Sequence, residues 1–443
     1  MEEKILRLLN ERRFYELKKF LETLNPNDIA PLFDEIPMED VLIIFRLLPK
    51  ETAAETFVEI DNDNQEYLIR AFSDEELKEV LDLLFVDDTA DLVEEMPANV
   101  AKRVLKHTDV KTRKLINEIL KYPEDSAGSI MTTEFVSLRK DMTVLEALNK
   151  IKATGVDKET IYTCYVTDKT KKLIGLVSTK DILLSDMDEM IEDIMETNFI
   201  YTHTLADRED VVKMFDKYDL LAVPVVDKED RLIGIITVDD AIDVIREENT
   251  EDFEKMAAMM PSDESYFKTS PFTHAKNRIM WLLFLMLSAT MTQAVITHYE
   301  AAFATVPLLV AFIPMITGTG GNCGSQSSTM IIRGLALDEI EPKDIFKAML
   351  KEGEIGLLVG VSLAIVNGIR IIIFYHDTIL ALVLGITLIA TIIMAKLMGC
   401  ILPIAAKKLK LDPAIMAAPL ITTLVDTCSI LVYFNVALKI MNL

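Results

Sequence analysis

The chain has 443 residues, more than one hydrophobic core usually organises, so its length excludes a single small domain. Its 71 acidic and 46 basic residues give a formal charge of −25, and residues 1–276 hold 61 of the acidic and 35 of the basic ones. So acidic a segment repels phosphate backbones, which excludes nucleic acid as a partner and makes divalent cations the natural counterions.

Residues 1–127 predict an acidic, α-helical domain. Apolar residues precede Pro37, Pro49 and Pro97, and proline suits the first turn of a helix. The segment APLFDEIP recurs as ADLVEEMP at an offset of 60. Such a repeat is typical of a helical superhelix, which is the architecture we expect here.

Residues 128–193 and 194–246 predict two copies of one small α/β fold. The segment DKTKKLIGLVSTKD matches DKEDRLIGIITVDD at an offset of 59, and short β-branched runs indicate strands. The recurring strand, glycine and aspartate resemble a tandem pair of CBS domains, which implies a dimerising module with ATP as a candidate ligand. The positions that match the ribose-contacting motif are Ser178, Asp181, Thr237 and Asp240. The same residues suit helix caps, and both interpretations stay open.

Residues 247–272 predict a connecting helix between this pair and the rest of the chain. Acidic residues dominate, and apolar residues recur at helical spacing at Ile245, Phe253 and Met256. As one helix, the segment is long enough to lie along the inner face of a membrane. We expect it to couple the two halves of the protein mechanically.

Residues 273–443 predict a transmembrane domain of five helices, because five apolar stretches are each long enough to cross a hydrocarbon core. The stretches are Ile279–Thr297, Ala301–Thr317, Ile355–Tyr375, Thr378–Ala406 and Ala414–Leu438. Lys and Arg lie before the first stretch and in the second and fourth loops, which places the N-terminus in the cytoplasm and the C-terminus outside. Arg370 and Lys439 are exceptions that can snorkel to the outer surface.

Asp426 is the strongest candidate for an ion site, since ionisable groups inside a membrane are costly. It lies near the middle of the fifth stretch, close to the hydroxyls of Thr422, Thr423 and Thr427. This pattern indicates a cation site in a polar lumen, and a carboxylate hydrogen-bonded to a neighbouring helix is the alternative. Lys396 would oppose cation conduction, so we expect it to reach the cytoplasmic interface or to pair with a carboxylate.

The second stretch ends in FIPMITGTGGNCGSQSST, where we expect Pro314 to break the helix and the glycines to form an irregular end. Small residues let backbone carbonyls face a lumen. The candidate pore-lining residues are Pro314, Gly320, Gly321, Asn322, Gly324, Thr422 and Thr423. Gly320 and Gly324 also form a GxxxG spacing, for which helix packing is an equally good interpretation.

Four further segments are distinctive in their order and spacing. They are YPEDSAGSIMT at Tyr122, RIMWL at Arg278, FIPMITGTGGNCGSQSST followed by RGLAL, and DPAIMAAPLITTLVD. With them, the chain resembles the MgtE family of magnesium transporters over essentially its full length. The resemblance implies a homodimer in the cell membrane, with ten helices around one pore that the second and fifth helices line. It also implies that Asp426 binds Mg²⁺ in the pore, although the family's glycine three residues later is Ser429 here.

The resemblance further implies that the membrane potential drives Mg²⁺ influx without ATP, and that Mg²⁺ itself closes the gate. A divalent ion gains about 4.6 kcal/mol from 100 mV. Acidic cytoplasmic domains repel one another until divalent cations neutralise them. The candidate regulatory ligands, chosen by position, are Asp88, Asp91, Asp239, Asp240, Glu251 and Asp252.

Two other classes of function compete with transport of Mg²⁺. An intramembrane metalloprotease needs a zinc or nucleophile constellation, and the five histidines contain no HExxH, so we expect no enzyme. A nucleotide-sensing regulator or anion carrier would favour cations in the lumen instead of Asp426.

Overall fold

The computed structural model describes residues 2–262, 266–267, 269–300, 306–416 and 418–441. The chain forms two compact units, Met1–Ile245 and Arg246–Leu443. The first unit contains a helical domain and two small sheets, and the second contains long apolar helices.

The first unit begins with a run of short helices. They are α1 (Glu2–Asn10), α2 (Phe14–Leu21), α3 (Pro26–Ile29), α4 (Leu32–Glu35), α5 (Met38–Leu47), α6 (Lys50–Glu59), α7 (Asn62–Ala71), α8 (Asp74–Leu81), α9 (Val86–Glu95), α10 (Ala98–His107) and α11 (Val110–Ile119). Pro37, Pro49 and Pro97 each stand immediately before a helix, as their spacing predicts. Ser73 and Glu76 form a capping box that starts α8.

One apolar core holds these helices together. Leu17, Phe57 and Leu68 are among its almost fully buried members. Burial of each such side chain contributes about 1.5–3 kcal/mol. The helical N-terminal domain is therefore confirmed, and its superhelical path stays a prediction.

Two three-stranded sheets follow with the same topology. In the first, β1 (Ser137–Arg139) pairs in parallel with β2 (Thr163–Thr167), which pairs antiparallel with β3 (Leu173–Ser178). In the second, β4, β5 and β6 repeat this arrangement. Their bounds are Thr202–His203, Ala222–Val226 and Leu232–Thr237.

Helices complete each copy. In the first, α12 (Val144–Thr154) joins β1 to β2 and α13 (Thr179–Leu184) follows β3. The short α14 (Ile191–Ile194) precedes the second copy, where α15 (Arg208–Tyr218) joins β4 to β5 and α16 (Val238–Met256) follows β6. The order strand, helix, strand, strand, helix that the internal repeat predicts is confirmed.

The connecting segment is less helical than its sequence predicts. Helix α16 ends at Met256, because Ala258 adopts a left-handed backbone with φ of 55°. The Met259 amide then donates to the Glu254 carbonyl at 2.9 Å, which closes the helix end. The expected single helix over 247–272 is therefore too long, since among the described residues of this segment regular helix resumes at Pro271.

The second unit contains the long helices. They are α17 (Pro271–His298), the short α18 (Leu308–Ala311), α19 (Ile313–Ala336), α20 (Ile345–Tyr375), α21 (Thr378–Lys408) and α22 (Ala418–Met441). In the described part of the chain, four segments are long and apolar enough to cross a membrane. They are Pro271–His298, Pro342–Tyr375, Thr378–Lys408 and Pro413–Met441.

Helix α19 corrects the predicted second span. Residues 301–305 of that span lie outside the described residues, and the 24-residue α19 begins only at Ile313. Pro314 lies in its first turn, and the helix is interrupted at Phe312, between α18 and α19, so the break expected at Pro314 is present and Pro314 starts the helix that follows it. The glycine-rich segment is regular helix, and its many Gly, Ser and Thr residues lower its mean hydropathy below that of the four spans.

Small residues let α19 pack closely against α21 and α22. A methyl group on Gly399 would collide with the carbonyl oxygen of Gly324, and one on Gly320 would lie 2.8 Å from Cγ2 of Thr391. These glycines therefore set the spacing between the helices. Nearby, the Tyr433 hydroxyl donates to the backbone of α18 at 3.0 Å inside an apolar core.

We predict that Gly399→Ala lowers the stability of the second unit by about 1–3 kcal/mol, because a tightly packed site must shift to admit the methyl group. Gly368→Ala on α20 is the control, since a methyl group there would meet no packed neighbour within 4 Å. Alanine should instead favour that helix by about 0.5–1 kcal/mol. Thermal unfolding of the full chain in detergent measures both variants, and equal midpoints would contradict the packing argument.

Candidate functional site

Asp426 lies on α22 and is partly buried. Its Oδ1 atom is buried and has no hydrogen-bond partner among the described residues. A buried carboxylate oxygen without a donor is costly. The alternative, in which a neighbouring helix donates to this oxygen, therefore finds no donor in the described part of the chain, whereas a cation with its hydration shell would satisfy it.

The threonine hydroxyls near Asp426 have partners that hold α22 in place. Thr423 donates to a backbone carbonyl one turn earlier at 2.9 Å. The hydroxyl of Thr427 lies 2.7 Å from that of Thr292 on α17. These bonds fix the helix that carries Asp426, and the predicted role of Thr423 in a lumen stays a prediction.

The buried glycines of α19 pack against α22. A methyl group on Gly321 would lie 2.8 Å from Cγ2 of Thr422, and one on Gly320 would lie 3.0 Å from Oγ of Ser429. The GxxxG pair formed with Gly324 thus serves helix packing within one chain. Ser429 is fully buried at this contact, and its Oγ has no partner among the described residues.

An exposed stripe runs along α19 at a four-residue spacing. It consists of Pro314, Gly318, Asn322 and Gln326, which share one face of the helix. Amide groups on that face cannot be satisfied by hydrocarbon, so the face requires water, ions or another chain. Pro314 and Asn322 are among the pore residues expected from the sequence. Gln326 is not, although the i, i+4 recurrence of small and polar residues could have indicated it.

Lys396 on α21 pairs with a carboxylate, as expected. It is 5% exposed, and its Nζ lies 3.6 Å from Oε2 of Glu352 on α20. The Lys396 ammonium also donates to Ser327 at 3.3 Å, and the Ser327 hydroxyl donates to Glu352. A buried lysine requires such a partner. The sequence did not single out Glu352, because nothing local indicates which carboxylate a distant lysine will meet.

Carboxylates from three parts of the first unit gather in an acidic cluster. They come from α9, from the segments before β1 and β2, and from the start of α16. The acidic cluster consists of Asp87, Asp88, Asp91, Glu134, Glu159, Asp239 and Asp240. The Val86 amide donates to Glu134 at 3.0 Å, which ties the start of α9 to the sheet domain.

Burial is the main cause of raised pKa values in the acidic cluster, and neighbouring carboxylates add to it. The pKa of Asp88 rises to about 6, and that of Asp91 to about 7. The pKa of Asp240 rises to about 6, and that of Glu159 to about 8. Asp87 is buried more completely, its pKa lies well above the ordinary range, and its Oδ1 has no partner among the described residues.

The acidic cluster brings together four of the predicted regulatory ligands, Asp88, Asp91, Asp239 and Asp240. Within the described residues, no three His, Cys, Asp or Glu side chains are arranged as a ready metal centre. The cluster is thus a concentration of negative charge, and coordination of a metal by these residues stays a prediction. Asp87, Glu134 and Glu159 were not expected, because burial by distant segments leaves no local mark in a sequence.

The other two predicted regulatory ligands, Glu251 and Asp252, lie on the part of α16 that belongs to the second unit. Glu251 is held by Lys255 at 2.6 Å, and the same ammonium lies 2.8 Å from Oδ2 of Asp412, before α22. Burial lowers the pKa of Lys255, but the bonds to Asp412 and Glu251 outweigh it and raise the pKa overall. Lys255 therefore clips the connecting helix to the segment that leads into α22.

The two ribose-contacting motifs serve as helix caps in this structure. Ser178 accepts from the Asp181 amide at 3.0 Å at the start of α13, and the Asp240 carboxylate accepts from the Thr237 amide at 3.3 Å at the start of α16. Thr237 also borders a cavity of about 340 Å³, whose wall includes Tyr162. This volume falls in the range of small-molecule pockets. Capping and nucleotide binding are therefore compatible at the second motif.

We predict that, without divalent cations, the first unit loses stability as pH rises from about 5 to about 8.5. The folded cluster has raised pKa values, so it binds protons more tightly than the unfolded chain, and this advantage is lost as Asp88, Asp91, Asp240 and Glu159 ionise. The loss should be at least about 3 kcal/mol, since a shift of one pKa unit corresponds to about 1.4 kcal/mol.

Hydrogen exchange of α9 in the full chain, corrected for intrinsic rates, measures this loss. An Asp91→Asn, Asp240→Asn variant is the control and should show a flatter pH profile. Protection that increases with pH in the unsubstituted chain would contradict the charge assignment.

Comparison with known proteins agrees with this architecture. Residues 24–125 match the MgtE intracellular N domain, residues 127–188 and 191–247 match CBS domains, and residues 313–436 match the MgtE divalent cation transporter domain. The magnesium transporter MgtE of Thermus thermophilus is 35% identical over 99% of this chain and 98% of its own length. The chain belongs to the MgtE family of magnesium transporters.

Other MgtE proteins extend the comparison. The magnesium transporter MgtE of Bacillus subtilis is 32% identical over 98% of this chain and 96% of its own length. A crystal structure of the cytosolic domain of the Mg²⁺ channel MgtE in complex with ATP is 35% identical, with a TM-score of 0.53, and covers 55% of this chain and 100% of its own. The MgtE relatives are named as transporters, and the long apolar helices of this chain fit a multi-pass membrane protein.

Proposed function

We propose that this MgtE protein is a channel that carries Mg²⁺ through a path between α19 and α22, with Asp426 as the ion-binding residue. The observation that carries the proposal is the buried Oδ1 of Asp426, which has no donor among the described residues. Removal of a carboxylate from water is costly unless a cation compensates it. A magnesium ion that keeps its waters can bind through one or two carboxylates.

A second copy of the chain would complete this path. The exposed stripe of α19, from Pro314 to Gln326, cannot lie against lipid without leaving polar groups unsatisfied. A two-fold axis beside α19 and α22 would place two stripes and two Asp426 side chains around one lumen. In this homodimer α19 is the second of five membrane helices in each chain, in addition to the four apolar spans, and ten helices enclose the pore.

The direction of transport follows from charge. With the N-terminus in the cytoplasm and the C-terminus outside, a negative interior gives each entering Mg²⁺ about 4.6 kcal/mol per 100 mV. The buried Lys396 does not oppose this entry, since Glu352 neutralises it. The same pairing disfavours an anion carrier, because this buried cation is not available to anions.

The acidic cluster would sense cytoplasmic Mg²⁺. Divalent ions that bind near Asp88, Asp91, Asp239 and Asp240 would relieve the repulsion among buried carboxylates and stabilise a closed state. Loss of these ions would favour opening. ATP is a further candidate ligand at the cavity beside Thr237, which the ATP complex of the related cytosolic domain supports.

We predict that Asp426→Asn abolishes Mg²⁺ uptake, because the amide keeps the shape of the side chain but removes the charge that binds the ion. The measurement is Mg²⁺ flux into proteoliposomes under a negative-inside potential. Asp377→Asn is the matched control: Asp377 caps α21 by accepting from two backbone amides, and asparagine caps equally well. Flux in Asp426→Asn equal to the control would refute the pore assignment.

For the sensor, we predict that Asp91→Asn combined with Asp240→Asn keeps the channel open at millimolar Mg²⁺ on the cytoplasmic side. Two fewer buried charges reduce the affinity of the acidic cluster for divalent ions. Patch recordings with stepped Mg²⁺ measure the concentration at which the channel closes. Lys255→Met is the comparison variant, because it removes the ion pair between the connecting helix and Asp412 but leaves the acidic cluster intact. An unchanged closing concentration in the double variant would reject these ligands.

A further inference from the structure

A cavity of about 200 Å³ lies in the second unit, and Asp426 is not among its lining residues. It is formed where α19, α20 and α21 meet. Its walls are mainly apolar, with Met315, Leu363, Val366 and Leu388 as lining residues. Its polar residues are Thr319, Asn367 and Arg370.

Asn367 supplies an unused hydrogen-bond donor to this cavity. The residue is 8% exposed, and its buried Nδ2 has no hydrogen-bond partner among the described residues. A buried amide that donates to nothing is costly. The site therefore calls for an acceptor.

Arg370 lies one helical turn further along the same face of α20. Its described contact is from Nη2 to Sδ of Met315 at 3.3 Å, and a thioether sulfur is a weak acceptor. No described carboxylate pairs with its guanidinium. The surrounding surface of α20 is apolar, since Ile365, Val366 and Ile369 are exposed there. An unpaired cation in such surroundings is costly.

The two donors and the apolar walls together define a ligand. We propose that this cavity binds the phosphate of a membrane phospholipid, with Arg370 and Asn367 as donors and an acyl chain along Leu363 and Val366. Arg370 stands five residues before the end of α20 at Tyr375, roughly 7.5 Å along the axis, within snorkelling reach of the headgroup layer. A free phosphate would satisfy the donors but would leave the apolar walls uncovered.

The test uses the full chain in detergent and native mass spectrometry, with three probes. These are phosphatidylglycerol, diacylglycerol with the same acyl chains, and inorganic phosphate. Phosphatidylglycerol should be retained over diacylglycerol, and Arg370→Gln should reduce its retention about tenfold through the loss of a charge-assisted bond. Lys439→Gln is the matched control, because it removes one exposed charge near the end of α22 without touching the cavity.

A second variant distinguishes loss of lipid binding from loss of the folded structure. Asn367→Leu removes the unpartnered donor, so it should leave the unfolding midpoint in lipid-free detergent unchanged or higher while it lowers lipid retention. Equal retention by Arg370→Gln and Lys439→Gln would overturn the proposal, as would equal retention of phosphatidylglycerol and diacylglycerol. Displacement of the lipid by inorganic phosphate would assign the site to a free anion. Dissociation of a dimer by Arg370→Gln, without a change in lipid per chain, would assign this face to a second copy.

Discussion

The close approach of α19 to α21 and α22 is the constraint on which the second unit depends. Inside hydrocarbon, burial of apolar groups does not drive helices together, so close packing and internal hydrogen bonds must hold them. Gly320, Gly324 and Gly399 make that approach possible, because a methyl group at any of them would press on a neighbouring helix. Once α19 packs against α21 and α22, the exposed stripe of α19 has a fixed position relative to Asp426 on α22.

The first unit must hold buried carboxylates together against their mutual repulsion. Its acidic cluster buries like charges that repel one another, and the apolar cores of the helical and sheet domains supply the free energy that keeps them in place. Burial of carboxylates beside one another opposes folding, and such unfavourable arrangements are expected where a protein binds a ligand or changes conformation. The second unit shows the same tension at Asp426, whose Oδ1 finds no donor among the described residues.

Features that repeat or have a local signal were predictable from the sequence. Pro37, Pro49 and Pro97 mark helix starts, and the offset of 59 between the two α/β copies gives their shared topology. Asp426 was identifiable because a charge in an apolar stretch stands out. Features that depend on distant partners were not predictable: the pairing of Lys396 with Glu352 and the burial of Asp87 arise only when remote segments meet.

Two segments of the chain differ from their predicted structure for physical reasons. The second membrane helix was predicted to end at Thr317, because the glycines that follow were expected to form an irregular end, whereas the helix continues to Ala336. Inside a packed bundle, glycine is compatible with helix when it permits closer contact. The connecting helix was predicted too long because Pro261, three residues beyond Ala258, was not taken as a stop signal, and because alanine rarely takes the left-handed conformation that ends the helix here.

The clip at Lys255 limits where an ion can act. Its ammonium lies between two carboxylates, Glu251 and Asp412, so a covalently attached cation occupies the place that a free ion would otherwise take. An attached counterion has a local concentration that does not change with the surrounding solution. A free ion could bind at this junction only by displacing the Lys255 ammonium, so the predicted role of Glu251 as a regulatory ligand requires that this ion pair break.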